Sequence, residues 1–416
     1  MPREASFVRH NFDTGFTAYT LQQDVPWVRL TLFVKYAGHE YDPLGKEGTA
    51  HLLEHVLHAG TIGYPYTGYT NLQRWLDGQP FSLVPASTHP TYMGFPLIVK
   101  ADALTQGLDF LFRLMFRPSF VQDIEIDREI IRKERIQNGL SSRGIRIENA
   151  LARAMGWSEH RTQTANGLPE DQVLNAITLD DLKTFHQRYF HPANITLIAV
   201  GNVPREEVEQ FADRSFSGKR AEYFSPPTIE EAPLAKPAVA FDRFAPNGEG
   251  AVKGVSLRYR WYYPFQHGKV DVIVRNALDQ AMNHEIRERQ QLTYGVGVKA
   301  QRNRHMPSCL FIHCVVSPHE EEVARKAIGT IMTDYDSLSK IVSTLTSTVE
   351  KDLCFQEKTA FDRITSAWGD LLYYGRIHTM EQDVEDCLRI TPEEAIAFMR
   401  KHLDPDDGYL QIIENL

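Results

Sequence analysis

No apolar run in this chain of 416 residues approaches the roughly 20 residues that a membrane helix needs. The longest, such as Ile195 to Val200, fall far short. The N-terminal stretch MPREASFVRH lacks the apolar h-region of a secretory signal. A basic excess is also missing. The net charge is −9 and the pI near 6.0, with no dense Lys/Arg run, whereas duplex binding needs a basic face to displace counterions. Neither a membrane nor a nucleic acid is therefore expected as a partner, and the cytoplasm is the expected location. Cysteine is scarce too. Cys309, Cys314, Cys354 and Cys387 all lie in the second half, without a C-x-x-C pair or the spacing of a disulfide framework. They read as small buried hydrophobes in a reduced compartment, and the strand-like LFIHCVV around Cys314 disfavours a Cys309–Cys314 metal pair.

What is present is ordinary for a globular protein: 42% hydrophobic and 24% charged residues, with no sign of disorder. Single cores stop growing at roughly 250–300 residues, so more than one domain is expected. An internal repeat says how many. ITLDDLKTFHQRYFHP (Ile177 to Pro192) aligns without a gap on ITPEEAIAFMRKHLDP (Ile390 to Pro405). In each copy a threonine, Thr178 or Thr391, is followed three residues on by an acid, Asp181 or Glu394, which is the pattern of a helix-opening capping box. After each closing proline a strand is expected, Ile195 to Val200 and Tyr409 to Ile413.

The offset implies two similar domains, residues 1–220 and 246–416, joined by a proline-rich linker at 221–245. Within that linker Pro226, Pro227, Pro233 and Pro237 suit neither a helix interior nor a central strand. Alternating runs predict strands at Val28 to Tyr36 and Val255 to Tyr263, and helical periodicity covers Leu104 to Met115 and Ile124 to Asn138. The fold class is α+β, two homologous domains, each a largely antiparallel sheet with packed helices.

The chemistry concentrates in KEGTAHLLEHVLHAGT. A helix from Ala50 to His58, stopped near Gly60, puts His51 and His55 four apart on one face, where two imidazoles can converge on a tetrahedral zinc. Glu54 flanks that face, placed to touch an activated water. Lone histidines are usually structural, by roughly ten to one. The full H-x-x-E-H pattern is expected by chance only on the order of a few hundredths of a time in such a chain. His58 lies on the same face but one turn too far for good geometry, and is read as structural or supporting. Catalytic zinc needs three protein ligands, and the acidic helix VQDIEIDREIIRKERIQNG is the best source of the third. There Asp127 and Glu134 stand seven apart on one face, with Ile130 and Ile131 between them to pack it inward. The plain alternative is a solvated stripe of paired charges.

These segments together resemble the pitrilysin, or insulinase-like, superfamily of inverted-motif zinc peptidases, in particular its short branch with the mitochondrial processing peptidase and bacterial relatives. GKEGTAHLLEHVLHAGT is similar to the family's metal helix, IDREIIRKE to its third-ligand helix and FHPANITLIAVGNV to the end of its first domain. The resemblance implies one Zn2+ per chain held by His51, His55 and Glu134, with Glu54 as general base and Asp127 in place of a supporting glutamate. The step from His55 to Glu134 is two residues longer than usual in this branch and the supporting acid is shorter, so Glu129 stays as an alternative ligand. In IRERQQLTYGV, Arg287 and Tyr294 have the seven-residue separation of the family's substrate-holding Arg/Tyr pair. Taken without the resemblance they are a helix-surface charge and a core residue at a strand start. The corresponding stretch of the second half, VRNALDQAMNHEIRER, has no H-x-x-E-H, although His284 and Glu285 are adjacent.

The family's substrate-edge strand is replaced here by Ser82 to Ala86, in which Pro85 removes a backbone donor. The expected function is that of a metalloendopeptidase acting on short or unfolded peptides inside a chamber formed by a homodimer, or by a heterodimer with a related subunit. The rivals are a non-catalytic assembly subunit, expected to have lost a ligand or the base, and a processing peptidase dedicated to one precursor.

Overall fold

The computed structural model of the chain describes residues 6–58, 69–120, 124–137, 149–158, 162, 169–218, 224–225, 227, 234, 241–244, 253–302, 307–355 and 359–415. Gly60, Asn138 and most of the proline-rich stretch lie outside them. The chain divides into two compact units: unit 1 comprises Met1–Ala152, Ser158–Thr228 and Lys358–Gly369, and unit 2 comprises Arg153–Trp157, Ile229–Glu357 and Asp370–Leu416.

Unit 1 holds a seven-stranded sheet of β1 (Val8–Asn11), β2 (Thr17–Gln22), β3 (Trp27–Lys35), β4 (Phe81–Leu83), β5 (Ser87–Thr88), β6 (Tyr92–Lys100) and β7 (Ile195–Gly201). The order is β1-β2-β7-β3-β6-β4, with β5 also on β6. All pairs are antiparallel except β2 with β7. Strand β3 shows why one face faces the helices: Val28, Leu30, Leu32 and Val34 alternate inward and are fully buried, as a period of two requires. Against them pack α1 (Thr49–His58), α2 (Tyr69–Leu76), α3 (Leu104–Phe116), α4 (Ile124–Gln137), α5 (Asp171–Ala176), α6 (Leu179–Tyr189) and α7 (Arg205–Phe216).

The intervening residues of β3 meet the segment 358–369. The Phe33 ring stacks on Trp368 with centroids 4.1 Å apart, and the Arg29 guanidinium lies 4.7 Å over Phe361. Gly94 stands opposite Phe33 in the ladder, and a Cβ there would come within 3.4 Å of that ring. The expected strand ends one residue early, because Tyr36 turns to φ 55.

Unit 2 repeats the plan. Its strands are β8 (Phe241–Phe244), β9 (Gly254–Tyr263), β10 (Val296–Gln301), β11 (Ser308–Val316) and β12 (Tyr409–Asn415), in the order β10-β11-β9-β12-β8. In each unit the strand that closes the domain, β7 or β12, pairs parallel with an early strand, β2 or β8, and antiparallel with the long strand β3 or β9. The helices are α8 (Val270–Met282), α9 (Glu321–Thr333), α10 (Tyr335–Phe355), α12 (Met380–Leu388) and α13 (Pro392–His402), while most of α11 (Ala360–Tyr374) belongs to unit 1. A π-helical turn, Asn283–Arg289, continues α8.

The repeated segments form equivalent elements. Thr178 caps α6 through a capping box with Asp181, and Thr391 caps α13 through one with Glu394. Each such cap contributes about 1 kcal/mol to its helix. Cys309, Cys314 and Cys387 are buried, and burial pushes the Cys314 thiol up to about 12. Among the described residues no helix is long and apolar enough to cross a membrane.

Candidate metal centre

Helix α1 carries the site on one side and the core on the other. Leu52, Leu53, Val56 and Leu57 are buried in unit 1, which turns His51 and His55 toward α4. Before the helix begins, Asp42, itself buried, accepts hydrogen bonds from the backbone N–H groups of Gly48 at 2.6 Å and Ala50 at 2.7 Å. It thereby satisfies two of the donors that a helix start leaves free. Gly48 has φ +95 and a Cβ there would meet the Pro169 ring at 2.5 Å, so only glycine fits this turn.

On α4, Asp127, Ile131 and Glu134 share one stripe. Ile131 is in the core, Asp127 is buried, and the Glu134 side chain is 37% exposed. The other side of α4 is tied down by cations: Arg135 pairs with Asp171 at 2.9 Å and Arg128 with Glu125 at 2.8 Å, while Arg132 pairs with Glu129. The helix thus has both the solvated charge stripe and the inward acids that the sequence left as alternatives. Glu129 faces Arg132 on the outer side, half exposed.

The three donor atoms form a small triangle. His51 Nε2 and His55 Nε2 lie 3.3 Å apart, and Glu134 Oε2 lies 3.4 Å from the first and 3.5 Å from the second. A tetrahedron with bonds of roughly 2.0–2.1 Å, those of zinc to imidazole nitrogen and carboxylate oxygen, has edges of about 3.3–3.4 Å. Two imidazoles and one carboxylate are also the donor set of a catalytic zinc site, so the residues present fit that ion in chemistry and in spacing. Hydrogen bonds from His51 and His55 hold the Glu134 carboxyl well below the ordinary carboxylate range. Burial opposes a charge on His55, but the Glu134 hydrogen bond and the charges of Glu54, Glu134 and Asp127 outweigh it and raise its pKa.

Glu54 is buried, and its Oε2 accepts a hydrogen bond of 2.7 Å from the Thr88 hydroxyl. Thr88 lies outside the strand Ser82 to Ala86 that the sequence singled out, and nothing in the local pattern marks it. His58 donates Nδ1–H to the Glu54 carbonyl oxygen at 2.8 Å, and burial lowers its pKa. Among the described residues one other trio, Asp370, His378 and Asp383, brings donors together. There the Lys269 ammonium already lies 2.9 Å from Asp383.

In unit 2, Arg287 and Tyr294 meet: the guanidinium stands 5.4 Å over the ring, and Tyr294 is 93% exposed, not the core residue its apolar surroundings in the sequence suggest. Arg287 lies in the π-helical turn. His284 and Glu285 engage Glu288 and Arg289.

Residues 18–163 match the model of the insulinase peptidase family M16, and residues 176–340 match that of the M16 inactive domain. The chain belongs to the M16 peptidase family. A PQQL-like zinc protease of Arabidopsis thaliana is 24% identical over 65% of this chain and 28% of its own length. A coenzyme PQQ synthesis protein F of Pseudomonas aeruginosa is 28% identical over 51% of this chain and 27% of its own. The chain therefore spans only about a quarter of these curated relatives.

Solved M16 structures show the same two-domain fold along the full chain. A protease from Helicobacter pylori has a TM-score of 0.79 at 14% identity, covering 99% of this chain and 100% of that one. An M16 inactive domain from Pseudomonas fluorescens has a TM-score of 0.76 at 16% identity, covering 99% and 98%.

Proposed function

We propose that the chain is a zinc-dependent endopeptidase that hydrolyses short or unfolded peptides, with the metal on His51, His55 and Glu134. The observation that carries this reading is the donor triangle of 3.3, 3.4 and 3.5 Å, two corners of which stand on the helix that also presents Glu54. When bound, zinc supplies a Lewis acid that polarises a carbonyl and brings the pKa of water toward about 7. Glu54 is the base. Its carboxylate takes the proton from the attacking water and returns it to the leaving amine nitrogen. Asp127, buried beside the site, is assigned a supporting role through the negative charge it places near His55. Arg287 and Tyr294, both exposed, are assigned to hold the peptide, the guanidinium on a backbone carbonyl or carboxylate and the hydroxyl on the developing oxyanion.

We further assign the working form to a dimer, of two copies or of this chain with a related subunit.

The test pairs metal analysis with hydrolysis of a quenched peptide library by the wild type and Glu54→Gln. The wild type is expected to carry about one zinc per chain and to cleave, and Glu54→Gln to keep the metal and lose at least about 100-fold in rate. Undiminished cleavage by metal-replete Glu54→Gln sinks the mechanism, and a wild type without zinc sinks the site.

A further inference from the structure

The edge of the unit 1 sheet contains one residue too many. Leu83 pairs with Leu97, the Val84 N–H donates to the Pro96 carbonyl oxygen at 3.3 Å, and Ser87 faces Gly94, so four steps along the edge answer three along β6. The stretch Val84–Ala86 is thus a β-bulge, with Pro85, which lacks an N–H to give to the ladder, inside it. An added residue changes which face every later side chain takes. In unbroken register Thr88 would sit opposite Tyr92, on the side where Tyr92 meets Trp368 at 5.1 Å. With the bulge it pairs with Met93, a core residue of the helix-covered face, and its hydroxyl reaches Glu54 Oε2 at 2.7 Å.

We propose that Thr88 is a positioning residue for the reaction: its hydroxyl fixes the Glu54 carboxylate, and the bulge at Val84–Ala86 turns it onto the face where it can. This inference rests on the reading of Glu54 as the base. A glutamate has three rotatable side-chain bonds, and a base displaced by about 1 Å can lose roughly 100-fold in rate. The Thr88 hydroxyl removes that freedom by a charge-assisted bond to one oxygen. Thr88 is itself β-branched and stiff, and both residues of β5 are paired to β6.

The test compares Thr88→Val, which keeps the branched shape and deletes the donor, with Thr88→Ser, which keeps the donor. Thr88→Val is expected to retain zinc and to lower kcat roughly 10- to 100-fold, with KM within about threefold of wild type, and Thr88→Ser to recover most of the loss. A second readout needs no catalysis. In metal-free protein, Thr88→Val, Glu54→Ala and the double variant should be non-additive in urea unfolding by roughly tenfold in the unfolding constant. A wild-type kcat in Thr88→Val, or additive unfolding, overturns the positioning role while the peptidase reading stands. A wild type that neither keeps metal nor cleaves overturns both.

Discussion

Asp42 closes the N-terminus of α1 from outside the helix, with its two carboxylate oxygens on the N–H groups of Gly48 and Ala50. Helix α1 is therefore anchored one residue before and one residue after its first position, Thr49. Replacement by alanine leaves two buried donors without partners. Asp42→Ala is expected to cost about 1–3 kcal/mol in chemical unfolding of the metal-free protein and to increase the rate of zinc loss. Unfolding within about 0.5 kcal/mol of wild type would show that the cap is unimportant.

The two acids proposed for the third ligand separate cleanly by environment. Glu134 touches both imidazoles, whereas Glu129 is paired with Arg132 on the outer side of α4. Glu134→Gln is expected to weaken zinc binding by more than about 100-fold in a chelator competition, because even partners one step removed from a metal are worth roughly 10- to 100-fold. Glu129→Gln should bind like wild type. The reverse ranking would move the ligand to Glu129.

Much of this site was legible because helical periodicity is a local property. The HLLEH spacing puts two histidines on one face whatever the rest of the chain does, and the stripe Asp127, Ile131, Glu134 follows from the same period. The repeat was readable for a similar reason, since Thr178 and Thr391 cap their own helices. What was hidden depends on distant pairing or on a break in period. Asp42 caps a helix it does not belong to, Trp368 reaches Phe33 from far along the chain, and Thr88 faces Glu54 only because a bulge reverses the alternation. The π-helical turn that carries Arg287 likewise departs from the roughly 3.6-residue period.

His186 gives the fold a pH dependence of known sign. Burial lowers its pKa, against a hydrogen bond to the Met115 carbonyl oxygen. A histidine whose folded pKa lies below its unfolded value of roughly 6.5 binds fewer protons in the native state. Its contribution to stability is complete above that value and is lost as the pH falls through it. Between pH 7.5 and 5.5 wild type should therefore lose more unfolding free energy than His186→Gln. Equal losses in urea titrations at the two pH values would show that His186 does not titrate differently on unfolding.

Tyr294 offers the clearest separation of function from stability in unit 2. It is almost fully exposed and its ring lies beneath the Arg287 guanidinium, so a change confined to its hydroxyl removes no core packing. Tyr294→Phe keeps the ring beneath Arg287 and should unfold within about 0.5 kcal/mol of wild type, with zinc content unchanged. If the hydroxyl stabilises the oxyanion, kcat/KM falls roughly 10- to 1000-fold, with the loss mainly in kcat. A loss confined to KM would instead make Tyr294 a residue that binds peptide equally before and during reaction. Wild-type kinetics for Tyr294→Phe would remove its hydroxyl from the mechanism and leave Arg287 as the group to test next.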